Sequence, residues 1–135
     1  MVRLLLHLGA PINTFDAGDL QPLHIAADNG DTECMRVLLD AGADPNGREG
    51  SGRTAIIYAA LSQSLAATQL LIQAGANVNE QENNRPGRTL LGAAAAINCE
   101  RILQLLLDNG ADVDKPDYYG NTPLLIAVGR GCYGA

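Results

Sequence analysis

Apolar residues along the chain fall into short helical stripes separated by glycine and polar turns. Ile102, Leu103, Leu106 and Leu107 recur at the spacing of one helix face, and the stripe stops at Asn109-Gly110. Leu38-Leu39 and Leu71-Ile72 close similar stripes ahead of Gly42 and Gly75. A shorter run of small apolar residues, Pro22-Leu23-His24-Ile25-Ala26-Ala27, ends near Gly30, where glycine accepts a left-handed turn without strain. The pattern predicts helix pairs: a short helix of small residues, then a second helix with a leucine stripe. An extended segment such as Ala111-Asp112-Val113-Asp114 then leads into a polar turn.

These pairs repeat. Gly-Ala recurs at Gly9, Gly42, Gly75 and Gly110, spaced by 33, 33 and 35 residues. A second marker, Thr54, Thr89 and Thr122 with Gln21 in the same phase, is spaced by 33, 35 and 33 residues. Two independent markers share the period and the same two-residue slip, which is the mark of a stacked repeat architecture. Thr122-Pro123 reads as a helix start, a hydroxyl cap followed by Pro at the first helical position.

The strings Gln21-Pro22-Leu23-His24-Ile25-Ala26-Ala27, Leu38-Leu39-Asp40-Ala41-Gly42-Ala43-Asp44-Pro45-Asn46 and Gly120-Asn121-Thr122-Pro123-Leu124 resemble the ankyrin repeat, and the resemblance covers the whole chain. It implies an all-α repeat fold: an ankyrin-type α-solenoid, curved, of helix-turn-helix units joined by β-turn or hairpin loops. One domain of residues 1–135 is expected, with repeats at about 14–46, 47–79 and 80–114 and partial units at 1–13 and 115–135.

Departures from the pattern carry expectations of their own. Gln21 replaces the capping Thr, so the first helix start should be weaker. Ala55-Ile56-Ile57 replaces Pro-Leu-His, which removes a histidine-mediated hydrogen bond. Gly92 inside a helix should cost about 1 kcal/mol relative to Ala, and the loop from Glu80 to Arg88 holds the two extra residues. His24 is expected to bond neighbouring backbone and tie adjacent turns together.

No single unit buries enough apolar surface to offset its chain entropy, so stability must come from stacking. The expected inter-repeat core is Leu38, Leu39, Leu71, Ile72, Leu106 and Leu107, with Ala26, Ala59 and Ala94 letting helices approach. Leu106→Ala should cost roughly 2 to 5 kcal/mol. The chain starts inside a second helix and stops where another should begin, which leaves the ends of the stack open and suggests a fragment of a longer array.

Composition narrows the chemistry. Of the 135 residues 47% are apolar but only 4% aromatic, with no Trp, so the core must be Leu, Ile, Val and Ala. A net charge of -6 opposes nucleic-acid binding, which needs clustered Lys and Arg. No run approaches the roughly 18 to 20 uncharged apolar residues of a membrane span, and Met1-Val2-Arg3-Leu4-Leu5-Leu6 is too short for a signal peptide. Three cysteines, Cys34, Cys99 and Cys132, lack metal-ligand spacing and read as free thiols of an intracellular, cytoplasmic or nuclear protein. Cys99 and Cys132 share a phase one repeat apart, near 10 Å and beyond the roughly 7 Å limit for a disulfide.

Catalytic strings dissolve in the repeat phase. Gly47-Arg48-Glu49-Gly50-Ser51-Gly52-Arg53-Thr54 has P-loop glycine spacing but carries Arg for Lys and follows no buried strand. Gly129-Arg130-Gly131-Cys132-Tyr133-Gly134 fits a dinucleotide fingerprint only as a string, since it lies between helices. His7 and His24 lie in separate units without a paired-cysteine motif, and Asp28, Asp31 and Glu33 suit solvation and capping. No enzyme activity, cofactor, metal or small-molecule substrate is expected.

The resemblance implies protein–protein binding on the concave face, through turn tips and the exposed side of each first helix. In phase these positions are Gly50, Ser51, Arg53, Leu61 and Ser62, then Arg85, Pro86, Arg88, Ala96 and Ile97. The last unit offers Tyr118, Tyr119, Asn121 and Arg130, and the first Ala17, Gly18, Leu20, Asp28 and Asn29. Leu61 and Ile97 are apolar where solvent-facing residues are expected, and the tyrosines suit binding anchors. Arg48, Arg53, Arg85 and Arg88 put positive charge on two neighbouring turns, so an extended, partly acidic segment with apolar anchors is the expected partner. An alternative is a substrate-recruiting domain of a larger enzyme or ubiquitin-ligase-type assembly. The resemblance also marks Asn46 and Asn79 as acceptors for asparaginyl hydroxylation.

Overall fold

The computed structural model describes residues 8–9, 20–82 and 87–129. Among the described residues seven helices follow one another: α1 (Pro22–Asn29), α2 (Thr32–Asp40), α3 (Ala55–Leu61), α4 (Leu65–Gln73), α5 (Leu90–Ala96), α6 (Glu100–Asp108) and α7 (Pro123–Gly129). Among the described residues the extended pairing is one antiparallel bridge, Gln81 to Thr89, at the base of a hairpin. The all-α repeat expectation holds. First helices pack on first helices, α1 on α3, α3 on α5 and α5 on α7; second helices likewise run α2, α4, α6.

Left-handed backbone positions mark the period. Gly42, Gly75 and Gly110 end the second helices with φ of 101°, 96° and 90°, and Gly9 (91°) holds the same phase. The turn between paired helices is left-handed at Gly30, Gln63 and Asn98, with φ of 67°, 61° and 55°. Two of those three carry a side chain, which at Gln63 strains the backbone.

Capping varies with the residue available. Asp31 accepts from Cys34 N and Ser64 from Ala67 N, whereas Cys99 in the same phase makes no side-chain cap. At the first-helix starts, Thr89 Oγ1 accepts the Gly92 N–H at 3.0 Å. Gln21 loses less than expected, because its own N–H donates to His24 Nδ1 at 3.1 Å. His24 Nε2 lies 2.9 Å from Gly47 O, so the ring carries its proton on Nε2 and ties the first unit to the next turn. Thr54 is fully buried and its Oγ1 has no hydrogen-bond partner among the described residues.

The core corrects part of the expected list. Leu38, Leu71 and Leu106 are buried with Ala26, Ala59 and Ala94. Leu39 and Ile72 are half-buried, and Leu107 is exposed. Met35, Ile56, Ile57, Leu90 and Ile102 are fully buried instead. The first helices supply so much of the core because α3 is flanked by α1, α5 and α4 together. Gly92 has a packing reason: a Cβ there would stand 3.1 Å from both Ile126 Cδ1 and Thr89 Oγ1, so glycine lets α7 approach α5.

Candidate protein-binding surface

Two hairpin tips are each closed by an acidic side chain. Glu49 N donates to Arg53 O at 3.0 Å, and Glu49 Oε1 accepts from Ser51 N at 2.8 Å and Arg53 N at 2.9 Å. Asp117 repeats the device: its N donates to Asn121 O at 2.9 Å, and its Oδ1 accepts from Tyr119 N and Asn121 N, both at 2.9 Å. Gly52 (φ 82°) and Gly120 (φ 83°) complete the tips, a conformation that suits glycine.

Burial opposes charge on Glu49, but donors from Ser51, Arg53 and Tyr58 hold its carboxyl below the ordinary carboxylate range. Asp117 is lowered in the same way: slight burial is outweighed by the Asn121 and Tyr119 donors and the nearby charge of Arg88. Burial, then the Glu49 bond and charge, push the Tyr58 phenol up. Tyr58 OH donates to Glu49 Oε2 at 3.0 Å, and the Arg53 guanidinium carbon stands 5.9 Å from the Tyr58 ring centre.

Neighbouring tips are cross-linked. Arg53 Nε donates to Glu82 Oε1 at 2.9 Å. Arg48 pairs with Glu80 and also donates to Gly52 O at 2.6 Å and Gln81 O at 2.8 Å. Tyr118 OH donates to Glu82 O at 2.8 Å, and its ring covers Gly87, where any Cβ would collide. The basic-patch expectation needs correction here, because two of its four arginines are bound to carboxylates of the next unit. Arg53, at the lysine place of the P-loop-like string, is turned onto Glu82.

Other candidate positions divide by environment. Tyr118 and Tyr119 are 51% and 62% exposed at one tip. Asn121 is exposed and held by Asp117, with Nδ2 3.3 Å from Oδ2. Ser62 is exposed at the end of α3, its Oγ donating to Ala59 O at 3.0 Å. Leu61 is half-buried against the core, and Ile97, ending α5, is half-buried as well; neither is the solvent-facing apolar residue expected. Arg88 is half-buried beside Asp117. Arg85, Pro86, Arg130, Ala17, Gly18, His7, Cys132 and most of the 129–134 string lie outside the described residues.

Asn46 and Asn79 also tie units together. Asn46 Nδ2 donates to Gly75 O at 3.1 Å and its Oδ1 accepts from Asn77 N at 2.8 Å. Asn79 does the same with Gly110 O at 3.3 Å and Asp112 N at 2.7 Å. Sequence reasoning missed Glu49, Tyr58, Glu80 and Glu82 as members of the tip network. Glu49, Glu82 and Asp117 were findable as acidic residues of one phase, spaced by 33 and 35 residues like Gly42, Gly75 and Gly110; Glu80 carries no repeat signal.

Cys34 and Cys99 are free thiols, and burial followed by the Asp31 charge pushes the Cys34 thiol up. Among the described residues no helix is long and apolar enough to cross a membrane.

Comparison with known proteins bears directly on this arrangement. The chain is 40% identical over 135 residues to the nuclear factor NF-kappa-B p105 subunit of Gallus gallus, covering 97% of this chain and 14% of that protein. It is 43% identical over 129 residues to the transient receptor potential channel pyrexia of Drosophila melanogaster, covering 95% of this chain and 13% of that protein. It is 33% identical over 131 residues to human B-cell lymphoma 3 protein, covering 95% and 29%. The chain thus spans a small part of these relatives' length. A family described as ankyrin repeats (3 copies) matches residues 1–82, and one described as ankyrin repeats (many copies) matches residues 93–134. Ankyrin repeats are generally protein–protein interaction modules, and by period, helix pairs and family match this chain belongs to the ankyrin repeat family.

Proposed function

We propose that the chain is a non-catalytic, intracellular binding module that holds a partner protein on the concave face formed by its hairpin tips and first helices. The observation that carries this reading is Tyr118-Tyr119: two exposed aromatic rings at one tip, one of them fixed by its hydroxyl to Glu82 O. A rigid aromatic presented to solvent loses little conformational freedom on binding and offers a large contact area. An extended segment with an apolar anchor fits that surface. Its acidic character rests on Arg88, Arg85 and Arg130, because Arg48 and Arg53 are already neutralised.

A photo-crosslinking residue placed at Tyr119, compared with one at exposed Arg101 on α6, tests the assignment. A cell-extract protein captured from position 119, displaced by unlabelled chain and absent from position 101 supports the reading. Capture from position 101 alone removes it.

A further inference from the structure

Asparagine followed by glycine is a labile pair, because glycine has no Cβ to keep its backbone nitrogen away from the asparagine side chain. The chain holds three such pairs, Asn29-Gly30, Asn46-Gly47 and Asn109-Gly110. All three asparagines are exposed, so what separates them is how each pair is held. Asn46-Gly47 is clamped by both neighbouring units. The Asn46 amide donates to Gly75 O and accepts from Asn77 N, and Gly47 O lies 2.9 Å from His24 Nε2. Gly47 is also covered, since a Cβ there would stand 3.0 Å from Gln21 Oε1. Gly30 is covered from the next unit, 3.4 Å from Ser64 Oγ on the same measure.

Asn109-Gly110 is held within one helix end. The Asn109 side chain donates to Leu105 O at 2.8 Å, in the last turn of its own α6. The Gly110 N–H donates to Leu107 O at 3.2 Å in the same turn. Among the described residues nothing stands within 4 Å of where a Cβ of Gly110 would be. Helix ends open before the body of a fold does, and one such opening releases both bonds together. The exposure belongs to the phase. Ala74-Gly75, one unit earlier with a helix pair on either side, is exposed as well, and Gly75 has the same clear space.

We infer that Asn109 is a modification site of the folded chain, converted by spontaneous deamidation while Asn29 and Asn46 are spared. In the opened turn the Gly110 nitrogen loses its proton to water and attacks Asn109 Cγ. The side-chain nitrogen leaves as ammonia, and a five-membered imide remains. Water opens the imide at either carbonyl, giving aspartate or isoaspartate. One water is consumed and one ammonia released, and no electrons change hands. The product cannot donate to Leu105 O. It also adds a negative charge beside Asp108 at the C-terminal end of α6, where the helix dipole opposes it. Isoaspartate further lengthens the backbone just before Gly110, whose carbonyl accepts from Asn79 Nδ2 at 3.3 Å. Conversion at position 109 therefore loosens the join between the α3–α4 and α5–α6 pairs as the chain ages. The inference is independent of what binds the hairpin tips.

The test incubates the intact chain in mildly alkaline buffer with and without urea, circular dichroism confirming that the urea-free sample stays helical. Peptide mass mapping then follows the amide-to-acid mass gain at positions 29, 46 and 109, and chromatography separates isoaspartate from aspartate. Protection at each site is its rate in urea divided by its rate in the folded chain. Protection at 46 should exceed that at 109 by about tenfold, as expected when further cross-unit hydrogen bonds must break. Asn109→Gln should abolish the gain in its own peptide and leave the rates at 29 and 46 unchanged. Protection at 109 equal to or greater than that at 29 or 46 would overturn the inference. So would a folded chain still intact at 109 once the urea sample has converted.

Discussion

Arg53 and Glu82 sit 29 positions apart in sequence and 2.9 Å apart in space, and the two side chains are unequally covered. Glu82 keeps 3% of its side-chain exposure and Arg53 keeps 34%. The carboxylate therefore depends on the arginine far more than the reverse.

Arg53→Ala strands a buried charge and should cost about 2 to 3 kcal/mol, in the upper part of the range for an unsatisfied buried group. Glu82→Gln keeps the shape and leaves an arginine that can reach solvent, so it should cost only about 1 kcal/mol. Urea unfolding of the two variants beside the parent chain measures the difference. Equal losses would show that the pair is no more than a surface contact.

Acid should loosen the hairpin tips before neutral conditions do. Glu49 and Asp117 are held below their ordinary values of 4.5 and 3.8, so the folded state binds protons less readily than the unfolded chain. Their contribution is present in full above those values and is lost as pH falls through the lower, folded-state values. A thermal melt series from pH 6 downward should show the decline, and Glu49→Gln should flatten it. An unchanged slope in Glu49→Gln would assign the acid sensitivity elsewhere.

Two threonines in one phase should respond oppositely to the same change. Thr54 buries a hydroxyl with no partner among the described residues, so Thr54→Val should stabilise by about 1 kcal/mol. Thr89 caps α5 through the Gly92 N–H, so Thr89→Val should destabilise by about 1 kcal/mol. Differential scanning calorimetry of both variants checks the sign.

At Gln63, φ is 61° in a position that Gly30 fills one unit earlier. Gln63→Gly removes the left-handed strain, about 1 to 2 kcal/mol, against a smaller entropic loss in the unfolded chain. A net gain of about 0.5 kcal/mol is expected from the chemical-denaturation midpoint, and a loss would mean that the Gln63 side chain supports the turn.

The period, the helix pairs and the leucines that alternate with it were legible because packing repeats whenever the sequence does. Leu38, Leu71 and Leu106 follow from phase alone. Leu107 did not: it is exposed, and Leu39 and Ile72 in its phase are only half-buried. The tip network was half legible. Arg48 and Arg53 were visible as charges, and Glu82 shares the phase of Glu49 and Asp117, but phase does not say that its carboxylate turns to Arg53 of the preceding unit, and Glu80 stands at a non-repeating position. Leu61 and Ile97 looked solvent-facing because phase assigns a face, whereas half-burial is decided by how closely the next helix comes.

The asparagine bonds between successive units have a consequence for how such a chain can change over time. Asn46 reaches Gly75 across 29 residues, and Asn79 reaches Gly110 across 31. The same rung closes over both lengths because the two added residues fall between Glu82 and Arg88, which remain paired at 3.0 Å. Spacing along the asparagine bonds is thus insulated from length at the tips. Insertions at a tip can rewrite what a partner meets without retuning the stack, which makes the tips the editable margin of the molecule and the asparagine bonds its fixed ruler.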